Sequence, residues 1–383
     1  MVKIDGLLPL RAGPTAGDAD RYNIFADIGA RRIVAPPSRE EWRRMKLVLV
    51  GCRWGIGDLI SELPALEALR AATDAHVIAV GARASLSLLH GRGIVDETLA
   101  VQDVGFGHLG DDADTTRLRS WVAGREFDVA VDMLHVPAGV RGVLWNASRR
   151  RVDAAQPAEV AATQRGLGIP VGVAWGARVG WNVSVPPDVR PRLAVLPGGA
   201  EFADRVLAEL GYGPDDRPGV VSPAASVGIK RWPAARFAAV AEALARRTGC
   251  PTLAVVGPQR ALADELLAGV RPGTVRVLPA ASLSDTAAVL ARCSTFVGND
   301  TGPSYLAQAA GCPTVSIFGP TDPDVLRQGQ MTCLGGVTDC PHRVTGRYGI
   351  PPCWHGDGCL IGERSCIEAV TTDEVIAALP VLQ

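Results

Sequence analysis

Of the 39 basic side chains counted as Lys and Arg, three are lysine: Lys3, Lys46 and Lys230. Lys230 is the one set among other informative residues. It lies in SPAASVGIKRWPAARF, after an apolar run that reads as a strand and before a stretch with helical spacing. A compact ammonium at such a junction suits a point-charge contact to a diphosphate, although a solvated loop lysine would look the same. Downstream, FVGND runs into TGPSYLAQAAG, so Asn299, Asp300, Thr301 and Gly302 fall between a strand and a helix. The first turn of that helix presents unpaired N–H groups and a positive dipole end, suited to an anionic or hydroxyl-rich ligand. Asp and Thr there are also ordinary N-caps. The next turn, Gly319, Pro320, Thr321, Asp322 and Pro323, reads either as a second ligand loop or as a rigid connection.

Two further sets carry chemistry. GCRWGIGDLISELPALEALR places Gly55, Gly57 and Asp58 between the first strand and the first helix. A carboxylate at that mouth can accept a proton in a displacement, or simply cap the helix. The third glycine of a dinucleotide fingerprint and the Gly-Lys-Ser/Thr of a phosphate loop are both absent. Five of the nine cysteines, Cys333, Cys340, Cys353, Cys359 and Cys366, crowd into a Gly- and Pro-rich stretch with little apolar periodicity. Four thiolates around Zn or Fe would give such a stretch a shape; reduced thiols without metal are the alternative, and no pair has Cys-x-x-Cys spacing. His342 and His355 lie nearby as substitute ligands or solvated loop residues. Cys52, Cys250, Cys293 and Cys312 sit singly among apolar residues and read as buried thiols.

The elements that must position these residues alternate in type. KLVLVGC, HVIAVGA, GIVDETLAV, FDVAVDML and RRRVDAA read as strands separated by helical spacing. That predicts a parallel sheet with crossover helices. Pro and Gly concentrate around 181–218, which places a domain boundary near 195. A second series follows: PGVVSPAAS, a helix from about Ala234, PTLAVVG, a helix from Ala261, VRVLP, a helix from Ser284, STFVGND, YLAQAAG, PTVSIFG and a final helix in TTDEVIAALPVL. The predicted division is an N-terminal extension (1–45), a first Rossmann-like domain (46–195), a second one (196–370) carrying the Cys-rich segment 333–366, and a C-terminal helix (371–383).

DTGPSYLAQAAGCPTVSIFGPTDP, residues 300–323, resembles the signature of glycosyltransferase family 9, the bacterial heptosyltransferases: DTG, a few residues, HLA, a small-residue helix, then FGPT. SPAASVGIKRWP resembles the family's strand, Pro, small residues and Lys-x-Trp-Pro, with Ser222, Pro223, Lys230, Trp232 and Pro233 in matching places. The family's opening, Arg, Gly-Asp and Pro-Ala-Leu, is matched by Arg53, Gly57, Asp58, Pro64, Ala65 and Leu66. The resemblance implies a GT-B fold of two doubly wound α/β domains around a cleft. It implies a nucleotide-sugar donor, ADP-heptose in the family, held by Gly57, Ser222, Lys230, Asp300, Thr301, Gly302 and the residue at 305. Asp58 would be the base of a single inverting displacement onto an acceptor hydroxyl of a glycan, protein or small molecule, with no catalytic metal. Tyr305 departs from the pattern, standing where the family has His; it cannot become a cation near neutral pH. Members of the family also show a Cys-Pro-x-Cys and two later cysteines, and autotransporter heptosyltransferases carry a cysteine-ligated iron finger. PPC with Cys359 and Cys366 matches the later three. Ile350 occupies the first position, so Cys340 is the replacement ligand and Cys333 the reserve, giving Cys340, Cys353, Cys359 and Cys366 as the metal set.

Composition bounds the partners. At 47% hydrophobic, 21% charged and a net charge of −1, nothing favours nucleic acid or an anionic membrane surface. The N-terminus lacks an apolar stretch long enough for a secretory signal, and no window approaches a membrane span. A cytoplasmic protein is expected. Two other functions fit the same residues: a nucleotide-sugar epimerase or hydrolase of the same architecture, marked by turnover without acceptor, and a non-catalytic nucleotide-sugar-binding protein, against which the retained Asp58 argues.

Overall fold

LVLVG, HVIAVGA and TFVGN are apolar at successive positions instead of alternating, the pattern of strands buried on both faces by crossover helices. The computed structural model describes residues 38–52, 55–102, 112–132, 143–144, 146–153, 190–335, 339–343, 351–355, 358–362 and 365–381. Its first half runs α1 (Arg39–Arg44), β1 (Leu47–Gly51), α2 (Ile56–Ala72), β2 (His76–Ala82), α3 (Arg83–Leu86), β3 (Glu97–Gln102), α4 (Asp112–Val122), β4 (Phe127–Asp132) and β5 (Ser148–Asp153). The second half runs α5 (Gly199–Glu209), β6 (Gly219–Ser222), α6 (Ala234–Thr248), β7 (Thr252–Ala254), α7 (Arg260–Ala268), β8 (Val275–Val277) and α8 (Leu283–Leu290). It continues with β9 (Thr295–Asn299), α9 (Gly302–Ala309), β10 (Thr314–Phe318), α10 (Pro323–Leu326), β11 (Thr332–Gly335) and α11 (Thr372–Ala377).

Both sheets are parallel throughout. The first has the order β3-β2-β1-β4-β5 and the second β11-β10-β9-β6-β7-β8. Strand order therefore reverses between β1 and β4, and again between β6 and β9. Ligands of doubly wound sheets bind outside the carboxyl ends of the strands at these reversals. Asp58 follows β1, Lys230 follows β6 and Asp300 follows β9, so three predicted site residues sit at the two switch points.

Two elements differ from the sequence expectation. Residues 39–44 of the supposed extension form α1, held by a full capping box between Ser38 and Glu41. Its Trp42 is fully buried, and the Trp42 carbonyl accepts the Thr73 hydroxyl at 2.7 Å. Residues 1–37 lie outside the described residues. The second addition is β11, parallel to β10 with Cys333 opposite Ser316.

The last turn of the chain closes on the second domain. Ile367, Val370, Val375 and Leu379 share a core with Trp232, Phe237 and Leu244. Trp232 donates through Nε1 to the Val370 carbonyl at 2.9 Å, and Arg236 donates to the Glu368 and Val370 carbonyls at 2.6 and 2.7 Å. Among the described residues no helix is long and apolar enough to cross a membrane.

Candidate functional site

Asp300 is the centre of a buried polar knot at the β6/β9 reversal. Its Oδ1 accepts the Tyr305 hydroxyl at 2.5 Å, and its Oδ2 accepts the Thr321 hydroxyl at 2.6 Å and faces the Lys230 ammonium at 2.5 Å. The Lys230 and Asp300 side chains are 8% and 2% exposed, so each charge depends on the other for compensation. Burial, and next the Asp300 carboxylate, hold the Tyr305 hydroxyl well above the usual phenol range. It therefore stays a neutral donor at any physiological pH.

Asn299 arranges the loops around this knot. It is fully buried; its Oδ1 accepts the Trp232 N–H at 3.0 Å, and its Nδ2 donates to the Pro223 and Ala224 carbonyls at 3.0 and 3.2 Å. The chain just after Lys230 and the turn after β6 are thus tied to the end of β9 by one amide. Lys230 itself closes a short 3₁₀ turn, Gly228–Lys230. Thr301 occupies the N-cap position of α9 but makes no side-chain cap; its hydroxyl lies 3.4 Å from the Ala224 and Asn299 carbonyls. Ser222 is buried and donates to the Val255 carbonyl at 2.7 Å, so its hydroxyl fixes the strand end.

The first domain meets the knot through the start of α2. A Cβ built on Gly57 would lie 2.5 Å from Tyr305 Cδ2, and one on Gly302 would lie 3.0 Å from Ile56 Cβ. Both predicted glycines thus serve the close approach of α2 and α9. Gln328 spans the same junction, donating to the Gly57 carbonyl at 3.4 Å. Asp58 follows Gly57 in the first turn of α2, half-buried, with Gly55 and not Asp58 at the N-cap. Its charge adds to the rise in the Tyr305 pKa, which places the carboxylate within electrostatic reach of the knot. Arg53 lies outside the described residues.

Cys340, Cys353, Cys359 and Cys366 line one cavity together with His342, Arg343, Ile229 and Pro320. Burial raises Cys353 to about 11, and the other three cysteines push it in the same direction. Cys366 is raised as well, chiefly by burial. No three His, Cys, Asp or Glu side chains among the described residues are grouped to hold a metal ion. Cys333 is not among the residues lining the cavity; it belongs to β11, with its pKa raised to about 12 mainly by burial. The side chain of His355 lies outside the described residues.

Lys230, Asp300, Thr301, Gly302, Tyr305, Gly57 and Asp58 are therefore brought to one junction, while Ser222 supports it from the strand. Sequence reasoning places Asn299 at the strand end with Asp300, and Thr321 in a turn that is either a ligand loop or a rigid connection, but assigns neither its partners; it does not single out Gln328, Trp354 or Arg343, which nothing local marks.

Residues 186–334 match the family model for glycosyltransferase family 9 (heptosyltransferase). A 95-residue segment is 39% identical to lipopolysaccharide heptosyltransferase 1 of Pseudomonas aeruginosa, covering 24% of this chain and 26% of the relative. A 107-residue segment is 31% identical to lipopolysaccharide heptosyltransferase 3 of Escherichia coli, covering 27% and 31%. The aligned segments thus span between a quarter and a third of these curated relatives. Structural likeness is longer. A family 9 glycosyl transferase from Veillonella parvula superposes with a TM-score of 0.67 at 19% identity, over 87% of this chain and 96% of that one. The E. coli ADP-heptose lps heptosyltransferase II gives 0.60 at 18%, over 86% and 96%. The likeness to these structures shows the GT-B fold, and residues 186–334, which carry the second sheet, match the model of glycosyltransferase family 9.

Proposed function

We propose that the protein is a cytoplasmic inverting glycosyltransferase that moves a heptose from ADP-heptose onto an acceptor hydroxyl of a glycan, a protein or a small natural product. The observation that carries this reading is the knot of Lys230, Asp300, Thr321 and Tyr305 at the switch point of the second sheet, with Asp58 of the first domain within electrostatic reach. Residues 196–370 hold the donor and residues 46–195 the acceptor. Lys230 and the N-terminus of α9 take the diphosphate, Asp300, Thr301 and Gly302 face the sugar, and Gly57 and Tyr305 close the junction. Ser222 keeps the strand end in register.

The chemistry needs one displacement. The acceptor oxygen attacks the anomeric carbon as the bond from that carbon to the diphosphate oxygen breaks. The hydroxyl proton passes to the Asp58 carboxylate, and the charge developing on the departing nucleoside diphosphate meets Lys230. A preorganised ammonium stabilises that charge without a divalent ion.

A panel of nucleoside diphosphates and their sugars tests the donor: a ligand that binds only the native state raises the melting temperature. ADP and an ADP-sugar are expected to do so, and no response to any nucleotide overturns the reading. Asp58→Ala is expected to lower transfer about 10²- to 10⁴-fold while leaving the ADP response intact. Unchanged transfer removes the base assignment.

We also propose that Cys340, Cys353, Cys359 and Cys366 take a structural Zn or Fe, which would draw four thiolates inward and staple the segment. Their shared cavity supports this. Metal analysis of protein purified without chelators is expected to give about one equivalent; a value near zero rules it out.

A further inference from the structure

The segment that bears the cysteines reaches the phosphate end of the candidate site. Trp354 follows Cys353 in the short 3₁₀ turn Pro352–His355, and its ring centre lies 5.0 Å from Lys230 Nζ. Arg343, which lines the cysteine cavity, donates to the Thr321 carbonyl at 3.2 Å. The Gly319 turn is equally close: a Cβ there would lie 3.0 Å from Ile367 Cβ and 3.7 Å from Cys366 Sγ. Ile229 and Pro320, which line the cysteine cavity, are the chain neighbours of Lys230 and Thr321. So the segment touches both turns that supply partners to Asp300.

An ammonium near an aromatic face is attracted by the ring quadrupole, most strongly when water is excluded. Lys230 meets that condition, being almost fully buried. A lysine otherwise carries much rotamer freedom, which must be surrendered when it meets a ligand. The Asp300 carboxylate and the indole together remove that freedom beforehand.

We propose that Trp354 is a positioning residue for Lys230, its ring holding the ammonium where a diphosphate is received, so that the cysteine-bearing segment is a wall of the donor site. The inference rests on the reading of Lys230 as the diphosphate contact. It ties the segment to the site directly, because whatever sets the conformation of the cysteines also sets the orientation of the one lysine there.

A double-mutant cycle tests it, with ADP as the probe and titration calorimetry as the readout, on the wild type, Trp354→Phe, Trp354→Leu, Lys230→Ala and the Lys230→Ala/Trp354→Leu pair. Trp354→Leu keeps bulk but loses the π face and is expected to weaken ADP about tenfold, whereas Trp354→Phe stays within about threefold of wild type. In the Lys230→Ala background Trp354→Leu adds nothing, because its effect passes through the ammonium. The proposal is overturned if Trp354→Leu binds like wild type, if Phe fails as badly as Leu, or if Leu costs the same factor with and without Lys230. A Lys230→Ala variant that binds ADP normally instead brings down the donor-site reading itself. A weak Lys230→Ala beside a normal Trp354→Leu overturns only the role of Trp354.

Discussion

Asp300 satisfies three donors with two oxygens, and one of them is a buried cation. Replacing it by Asn would keep the shape but leave Lys230 buried without a counter-charge, and breaking a buried pair from one side costs about 3–5 kcal/mol. Asp300→Asn is thus expected to lose that amount in urea unfolding. Lys230→Met/Asp300→Asn, which removes both charges, should recover much of it, and a single variant as stable as wild type would contradict the pairing. Sequence reasoning identified both residues yet read them separately as donor contacts. Their pairing was not legible because 69 residues of chain and three crossovers, the last of which reverses the strand order, lie between them. Tyr305 was read as a departure from the family pattern; geometry gives it a function of its own, a neutral hydroxyl donating to Asp300 against the face of Gly57.

The start of α2 meets the start of α9 with almost no side-chain volume between them. Gly57 faces the Tyr305 ring and Gly302 faces Ile56, so the approach is set by what the glycines lack. Gly57→Ala would place a methyl 2.5 Å from a ring carbon that is itself pinned by Asp300, and the ring cannot swing aside without losing that bond. Overpacking of this kind costs about 1–3 kcal/mol. The variant should melt lower and, because Asp58 is the next residue, lose transfer more than ADP binding. Equal stability and activity would show that the helices can part freely. Most elements were legible because parallel strands buried on both faces must be apolar at every position. Two escaped for physical reasons: β11 is half-exposed, so TCLG carries no apolar run, and α1 is six residues long, announced only by the Ser38 and Glu41 capping box.

One apolar core runs through both domains, from Trp42 and Val48 of the first to Phe296 and Leu306 of the second, and several cysteines are embedded in it. Burial raises Cys52 and Cys293 well above the thiol range and lifts Cys312 to about 12. In the unfolded chain each thiol ionises near its ordinary value of about 8.5. Below that pH both states keep their protons, and these groups contribute no pH dependence. Above it the unfolded chain binds fewer protons than the folded one, so stability falls by about 1.4 kcal/mol per pH unit for each such thiol until the folded pKa is passed. Unfolding by urea in the presence of reductant should therefore show stability level from pH 7 to 8.5 and declining steeply from 9 to 11. Cys312→Ala removes one of these titrating groups, so it is expected to make the alkaline decline shallower by the equivalent of one group. A profile flat to pH 11, or a variant with an unchanged slope, would mean that water reaches these thiols and that the core joining the two sheets is looser than its packing implies.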